Sequence, residues 1–168
     1  MRSNQLGFSL IELLIVVVII GIIAAIAIPN LLSARRSANE GSAVSSMRTL
    51  HGAQMTYAAT VGNGNYAGAT SFSIAALQEL GSSGAGIIDA TLATGTKSGY
   101  NFVGIRTASS VSVPAQFAYS ALPTATTGVT RTGTRRFGIS TDGVIKSDAT
   151  MAQYGTLVQV QNASPHTN

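Results

Sequence analysis

Hydrophobic and polar positions follow two different patterns along this chain. From Phe8 to Leu32 hydrophobic residues dominate and Glu12 is the only charge, with an unbroken apolar run from Leu13 to Ile28. A spanning helix needs roughly 20 such residues. One carboxylate near the end of a span costs about 2.5–3.5 kcal/mol or less, while each Ile, Leu or Val returns about 0.3–0.6 kcal/mol, so the run can carry Glu12 into a bilayer. Past Pro29 the apolar positions narrow to a stripe. Val44, Met47, Leu50, Tyr57, Ala58 and Val61 fall within an arc of roughly 140° at 100° per residue. Ser45, Arg48 and Thr49 lie opposite. The pattern predicts a helix from Phe8 to about Val61, weakest at Gly41, whose second half lays an apolar face on a sheet.

Val61-Gly62-Asn63-Gly64-Asn65 is expected to end that helix, because its glycines and asparagines accept left-handed backbone. A short helix is expected from about Ser73 to Leu80, closed by Gly81, and then a loose Gly/Ser stretch to Gly86. Strands are expected at Tyr100 to Arg106, Ala115 to Ala121, Arg136 to Ser140, Val144 to Lys146 and Thr156 to Gln161. Thr141-Asp142-Gly143 is the turn signal between the third and fourth of these. A long helix followed by antiparallel strands is an α+β arrangement. The organisation expected is a helix over residues 8–61, a connecting region over 62–97 and an antiparallel head over 98–168, with no internal repeat.

Composition sharpens this picture. Of the 168 residues, 45% are hydrophobic and only 10% are charged, against roughly 25% charged in an ordinary soluble domain. Residues 8–32 account for the excess, which argues against several membrane spans. With no cysteine, disulfides, thiolate metal sites and cysteine catalysis are excluded. The net charge of +4 is small and scattered, a weak footprint for a polyanion.

The segment from Met1 to Leu32 allows three readings: a spanning helix, a secretory signal, or a buried core helix. A secretory signal would use Arg2 as its charged leader and Ala25-Ile26-Ala27 as its cleavage site. Glu12 would then sit inside its apolar core. A buried helix does not explain an acidic residue near the start of the run. Charge bias does not orient a span, since Arg2 flanks one side and Arg35 with Arg36 the other.

Gly7-Phe8-Ser9-Leu10-Ile11-Glu12, the apolar stretch with Gly21, and Ala24-Ala25-Ile26-Ala27-Ile28-Pro29 together closely resemble the N-terminus of type IV pilins. The resemblance extends from the start of the chain to about Met55. It implies a leader, residues 1–7, cut between Gly7 and Phe8 by a prepilin peptidase that also N-methylates Phe8. It implies residues 8–32 as inner-membrane anchor, N-terminus inside, and later as filament core. It further implies a homo-oligomeric filament raised by pilus assembly machinery in the inner membrane, carried to the cell surface, with membrane lipid as the partner before assembly. Phe8, Glu12, Gly21 and Pro29 are the assembly residues on this reading. Glu12 would pair with the α-amine of Phe8 in a neighbouring subunit, and the stretch between Gly21 and Pro29 would loosen on packing. A type II secretion pseudopilin would share this N-terminus. The cysteine pair near the C-terminus of many pilins is missing.

No catalytic activity, cofactor or metal is expected. His51 and His166 stand apart, and no metalloprotease, phosphate-loop or hydrolase motif occurs. Asp142 and Asp148 flank a hairpin without the alternating oxygens of a calcium loop. Arg131, Arg135 and Arg136 form one basic cluster, a surface that could meet DNA phosphates.

Overall fold

The computed structural model describes residues 8–167. The chain divides into two compact units, Met1–Arg35 and Arg36–Asn168. The first helix, α1, is Leu10–Thr60, closing one position before the expected end at Val61. It leaves through Val61 and Gly62, whose N–H groups both reach the Tyr57 carbonyl.

In the second unit, α1 presents Ala43, Ser46, Met47, Leu50, Ala53 and Gln54 to the interior. Met47 and Leu50 are where the periodicity puts them. Val44, Tyr57 and Ala58 are half-buried and Val61 is exposed, because the helix has ended before Val61 could meet the sheet. Ala43, Ser46 and Ala53 are small, so the helix backbone can come close to the strands. Side chains of α1 fasten it to loops: Asn39 donates to the Thr132 carbonyl at 2.9 Å, Ser42 to Ser98 Oγ at 2.8 Å, and Glu40 accepts both the N–H and hydroxyl of Thr134 at 2.6 Å.

Two short helices follow, α2 at Ala75–Leu80 and α3 at Ala90–Ala93, the latter capped by Asp89 accepting the Leu92 N–H at 2.9 Å. Five strands, β1 (Thr96–Lys97), β2 (Tyr100–Thr107), β3 (Gln116–Pro123), β4 (Arg136–Ser140) and β5 (Ile145–Asp148), form one antiparallel sheet in chain order. The α+β expectation holds. Ser98 and Gly99, both with positive φ, turn β1 into β2 as a tight two-residue hairpin does. Gly143, φ +72°, closes the predicted turn between β4 and β5.

The sheet is buried on both faces at its centre. Tyr100, Phe102, Phe117, Tyr119, Ala121, Phe137 and Ile139 join Met47 and Leu50 of α1 in the main core. Ala118 on the other face meets Tyr154, Leu157 and Val160. These last two belong to a final helix, α4 at Leu157–Asn162, where the sequence pattern predicts a strand. Leu-Val-Gln-Val alternates like a strand, but Thr156 Oγ1 accepts the Gln159 N–H at 3.2 Å and Gln159 Oε1 accepts the Gly155 N–H at 2.8 Å. This capping starts a helix, and Leu157 and Val160, three apart, then share its buried face.

Neither long edge of the sheet is open. Along β2, the Ala69 carbonyl accepts from Arg106 N–H and Ser73 exchanges two hydrogen bonds with Gly104. Along β5, Ser147 N–H donates to Ser164 and His166 N–H to Ile145. Unpaired edges recruit other chains, and here chain segments already occupy them.

Candidate functional site

In the first unit, every large apolar side chain from Phe8 to Leu31 is between 51% and 91% exposed. Among the described residues of that unit, nothing covers them. The helix is long and apolar enough to cross a membrane, and burial of its side chains falls to lipid or to another molecule.

Helix α1 begins at Leu10, with Ser9 before it and Glu12 at the third helical position. Glu12 Oε2 accepts the Ser9 N–H at 2.8 Å. Ser9-Leu10-Ile11-Glu12 is the Ser-x-x-Glu form of a capping box, in which the acidic side chain satisfies a donor otherwise orphaned at a helix start. Periodicity and charge alone miss this role, although the tetrapeptide itself signals it. One carboxylate oxygen is thereby held by the chain's own backbone. Phe8, Glu12, Leu13 and Val16 frame an open depression of about 210 Å³, apolar apart from that carboxylate.

Gly21 and Pro29 both lie within α1. A Cβ built on Gly21 would meet nothing within 4 Å, so the glycine is not required by packing inside this chain. Pro29 has no N–H to offer the Ala25 carbonyl four residues back. Phe8 is 91% exposed. Gly7, together with the rest of residues 1–7, lies outside the described residues, so the expected cleavage junction has only its Phe8 side in view.

Two arginines of the basic cluster stand beside carboxylates. Arg136 forms an ion pair with Asp148 at 2.8 Å, donates through Nη1 to the Ala152 carbonyl at 2.8 Å, and lies 3.8 Å above the Tyr154 ring. Arg135 sits 4.0 Å from the Glu40 carboxylate. That leaves Arg131 without an ion-pair partner among the described residues. Burial raises the Asp148 pKa, but the Arg136 side chain and the Thr150 N–H outweigh it and hold the carboxyl at about 2. Burial and that same carboxylate push Tyr154 up to about 12.

Asp142, His51 and His166 serve the fold. Asp142 accepts from Ser140 and the Val144 N–H and meets Lys146 at 3.2 Å. Neither it nor Asp148 joins a cluster of three metal-ligating side chains among the described residues. His51 packs against Phe117 with ring centroids 5.5 Å apart, and His166 bonds Ser147 Oγ at 3.0 Å and stands edge-on to Phe137.

An exposed apolar helix start with one carboxylate is the feature that comparison with known proteins picks out. Residues 2–28 match the family model of the prokaryotic N-terminal methylation motif. Among curated relatives, the type IV wide pilus major component PilA4 of Thermus thermophilus is 65% identical over 37 residues, 22% of this chain and 28% of the relative. The type IV major pilin protein PilA of Myxococcus xanthus is 47% identical over 51 residues, 30% of this chain and 23% of the relative. The type II secretion system core protein G of Aeromonas hydrophila is 38% identical over 56 residues, 33% of this chain and 39% of the relative. The matches thus span about a quarter to two fifths of these relatives' length. The relatives bear the names of pilus and secretion-system components. No solved structure matches the chain significantly.

Proposed function

We propose that this chain is a structural subunit of a type IV pilus, without catalytic chemistry of its own. The observation that carries the proposal is the N-terminal methylation motif running into a helix whose large apolar residues up to Leu31 are all exposed. On this reading residues 1–7 are a leader removed between Gly7 and Phe8 by the prepilin peptidase, which then methylates the new amine. Residues 8–32 hold the subunit in the bacterial inner membrane, N-terminus inside. Polymerisation moves the helix from lipid into a filament core and carries the subunit to the cell surface.

Glu12 sets the register. A carboxylate surrounded by apolar side chains needs a charged partner, and a misplaced subunit would leave it unpaired, at a cost of several kcal/mol. The α-amine of Phe8 in a neighbouring subunit supplies that partner and remains cationic after methylation. Glu12 Oε1 is available for it while Oε2 stays on Ser9. Gly21, which packing within this chain does not require, and Pro29, which lacks the N–H of a regular helix position, bracket the stretch that loosens as subunits pack.

A type II secretion pseudopilin is the second reading, favoured by the 38% identity to core protein G over 56 residues. Electron microscopy of sheared surface material, with the subunit identified by mass, separates the two. Long filaments made chiefly of this chain, beginning at Phe8, support the pilin. Absence of surface filaments together with short periplasmic assemblies supports the pseudopilin. A mature chain that starts at Ile28 would overturn both.

A further inference from the structure

One cleft in the second unit is built unlike the rest of its surface. It opens at the last turn of α1, has a volume of about 350 Å³, and is lined by Tyr57, Asn65, Tyr66, Glu79 and Arg106. Two opposite charges, from α2 and β2, enter it without neutralising each other. Each is tied instead to the peptide of Gly68: the Gly68 N–H donates to Glu79 Oε2 at 2.7 Å, and Arg106 Nε donates to the Gly68 carbonyl. Those bonds fix both side chains. They leave Glu79 Oε1 and the two Arg106 Nη groups without a partner among the described residues.

Both tyrosines are held as firmly. The Tyr66 ring stands edge-on to Phe117 at 4.7 Å. The Tyr57 ring lies so near Gly62 that a Cβ there would come within 2.8 Å of it. Both rings are half-buried, so part of each remains open to the cleft. The site therefore offers fixed aromatic surface, a carboxylate acceptor, a guanidinium donor and the Asn65 amide, already in position before anything binds.

The charges select the ligand class. An anion would be drawn to Arg106 but repelled by Glu79, and a cation the reverse. A neutral molecule with neighbouring hydroxyls answers both, donating to Glu79 Oε1 and accepting from Arg106. The ring C–H groups of a sugar carry the slight positive polarisation that suits the negative face of an aromatic ring. Such a mixture of apolar platform and a few placed polar groups is how small-molecule sites orient their ligands. We propose that the cleft between Tyr57, Tyr66, Glu79 and Arg106 binds a neutral pyranose sugar. This goes beyond the assembly reading and does not depend on it, because every residue involved lies within the second unit.

The test is saturation-transfer NMR and titration calorimetry on the full chain in polyoxyethylene ether micelles, whose headgroups carry neither sugar nor charge. The probes are methyl glucoside, methyl galactoside, cellobiose and lactose, with glucuronate and glucosamine as charged counterparts. At least one neutral sugar is expected to bind with about millimolar affinity, weakened roughly tenfold by Tyr57→Ala or Arg106→Gln. Asn65→Ala, which removes an amide with no hydrogen-bond partner among the described residues, is expected to weaken binding about threefold with an unchanged melting curve. Absence of binding by all four neutral sugars, unchanged affinity in all three variants, or preference for glucuronate or glucosamine overturns the proposal.

Discussion

Glu12 carries two tasks on one carboxylate. Toward its own chain it caps α1 through the Ser9 N–H; toward a neighbour, on the proposed function, it offers the remaining oxygen. Glutamine also serves at this position of a capping box. Glu12→Gln is therefore expected to preserve helix start and membrane insertion while sharply lowering filament yield, read from membrane fractionation beside sheared-filament recovery. Gln54 is the buried counterpart. Its amide is 1% exposed, accepts the Ala67 N–H at 2.8 Å, and donates to the Ala67 carbonyl at 2.9 Å and Tyr119 Oη at 2.6 Å. Gln54→Leu leaves those groups without partners and is expected to destabilise the fold by about 2–4 kcal/mol in thermal or chemical denaturation. Glu12 was legible because a charge inside an apolar run stands out. Gln54 was not, since Ala67 and Tyr119 are remote from it in the chain and meet it only in the fold. Nor could sequence say which arginine of three would be engaged, because the pairing of Arg136 opposite Asp148 is a matter of strand register.

The long helix, its end and most of the strands follow from short-range rules: a 3.6-residue stripe, Gly/Asn punctuation, and alternation between turn signals. Elements whose identity depends on partners were harder to read. α3 and β1 are too short to leave a periodic trace, and α4 looks like a strand until Thr156 and Gln159 are recognised as caps. Glycines divide in the same way. Gly21 meets nothing within its chain, so no contact in the second unit depends on it. Gly138 in β4 is different: a Cβ there would lie 2.9 Å from Val160 and 3.0 Å from the Tyr154 ring. Gly138→Ala is expected to lower stability by about 1–3 kcal/mol, because α4 and the Tyr154 segment must shift. A denaturant titration beside the parent chain measures it.

Across the head, the segment after β5 is held by charge and aromatic contact instead of by a disulfide. Asp148 joins Arg136, the Thr150 N–H at 2.7 Å and Tyr154 Oη at 3.0 Å. Its folded pKa of about 2 lies below the ordinary 3.8, so its stabilisation is complete above about pH 5 and fades as pH falls through the folded value. Allowing for its partial exposure, Asp148→Asn is expected to cost on the order of 1–2 kcal/mol at pH 7 and to reduce the melting-temperature loss between pH 5 and 2, leaving the shares of Asp89 and Asp142, whose pKa values are also lowered. The tail has a separate duty along β5. Truncation after Ala163 uncovers that strand and is expected to produce concentration-dependent association by light scattering.

Along β2 and β5, a strand from a second molecule could join the intact sheet only by evicting residues 69–73 or 164–166, breaking hydrogen bonds already made. Among the described residues, the exposed helix segment 8–31 has no such occupant to displace. Self-association is thus unopposed at one segment and obstructed along the sheet. On the proposed function, subunits of this design can crowd at high density in a bilayer without gelling through their strands, and the timing of growth passes to whatever governs the exit of a helix from lipid.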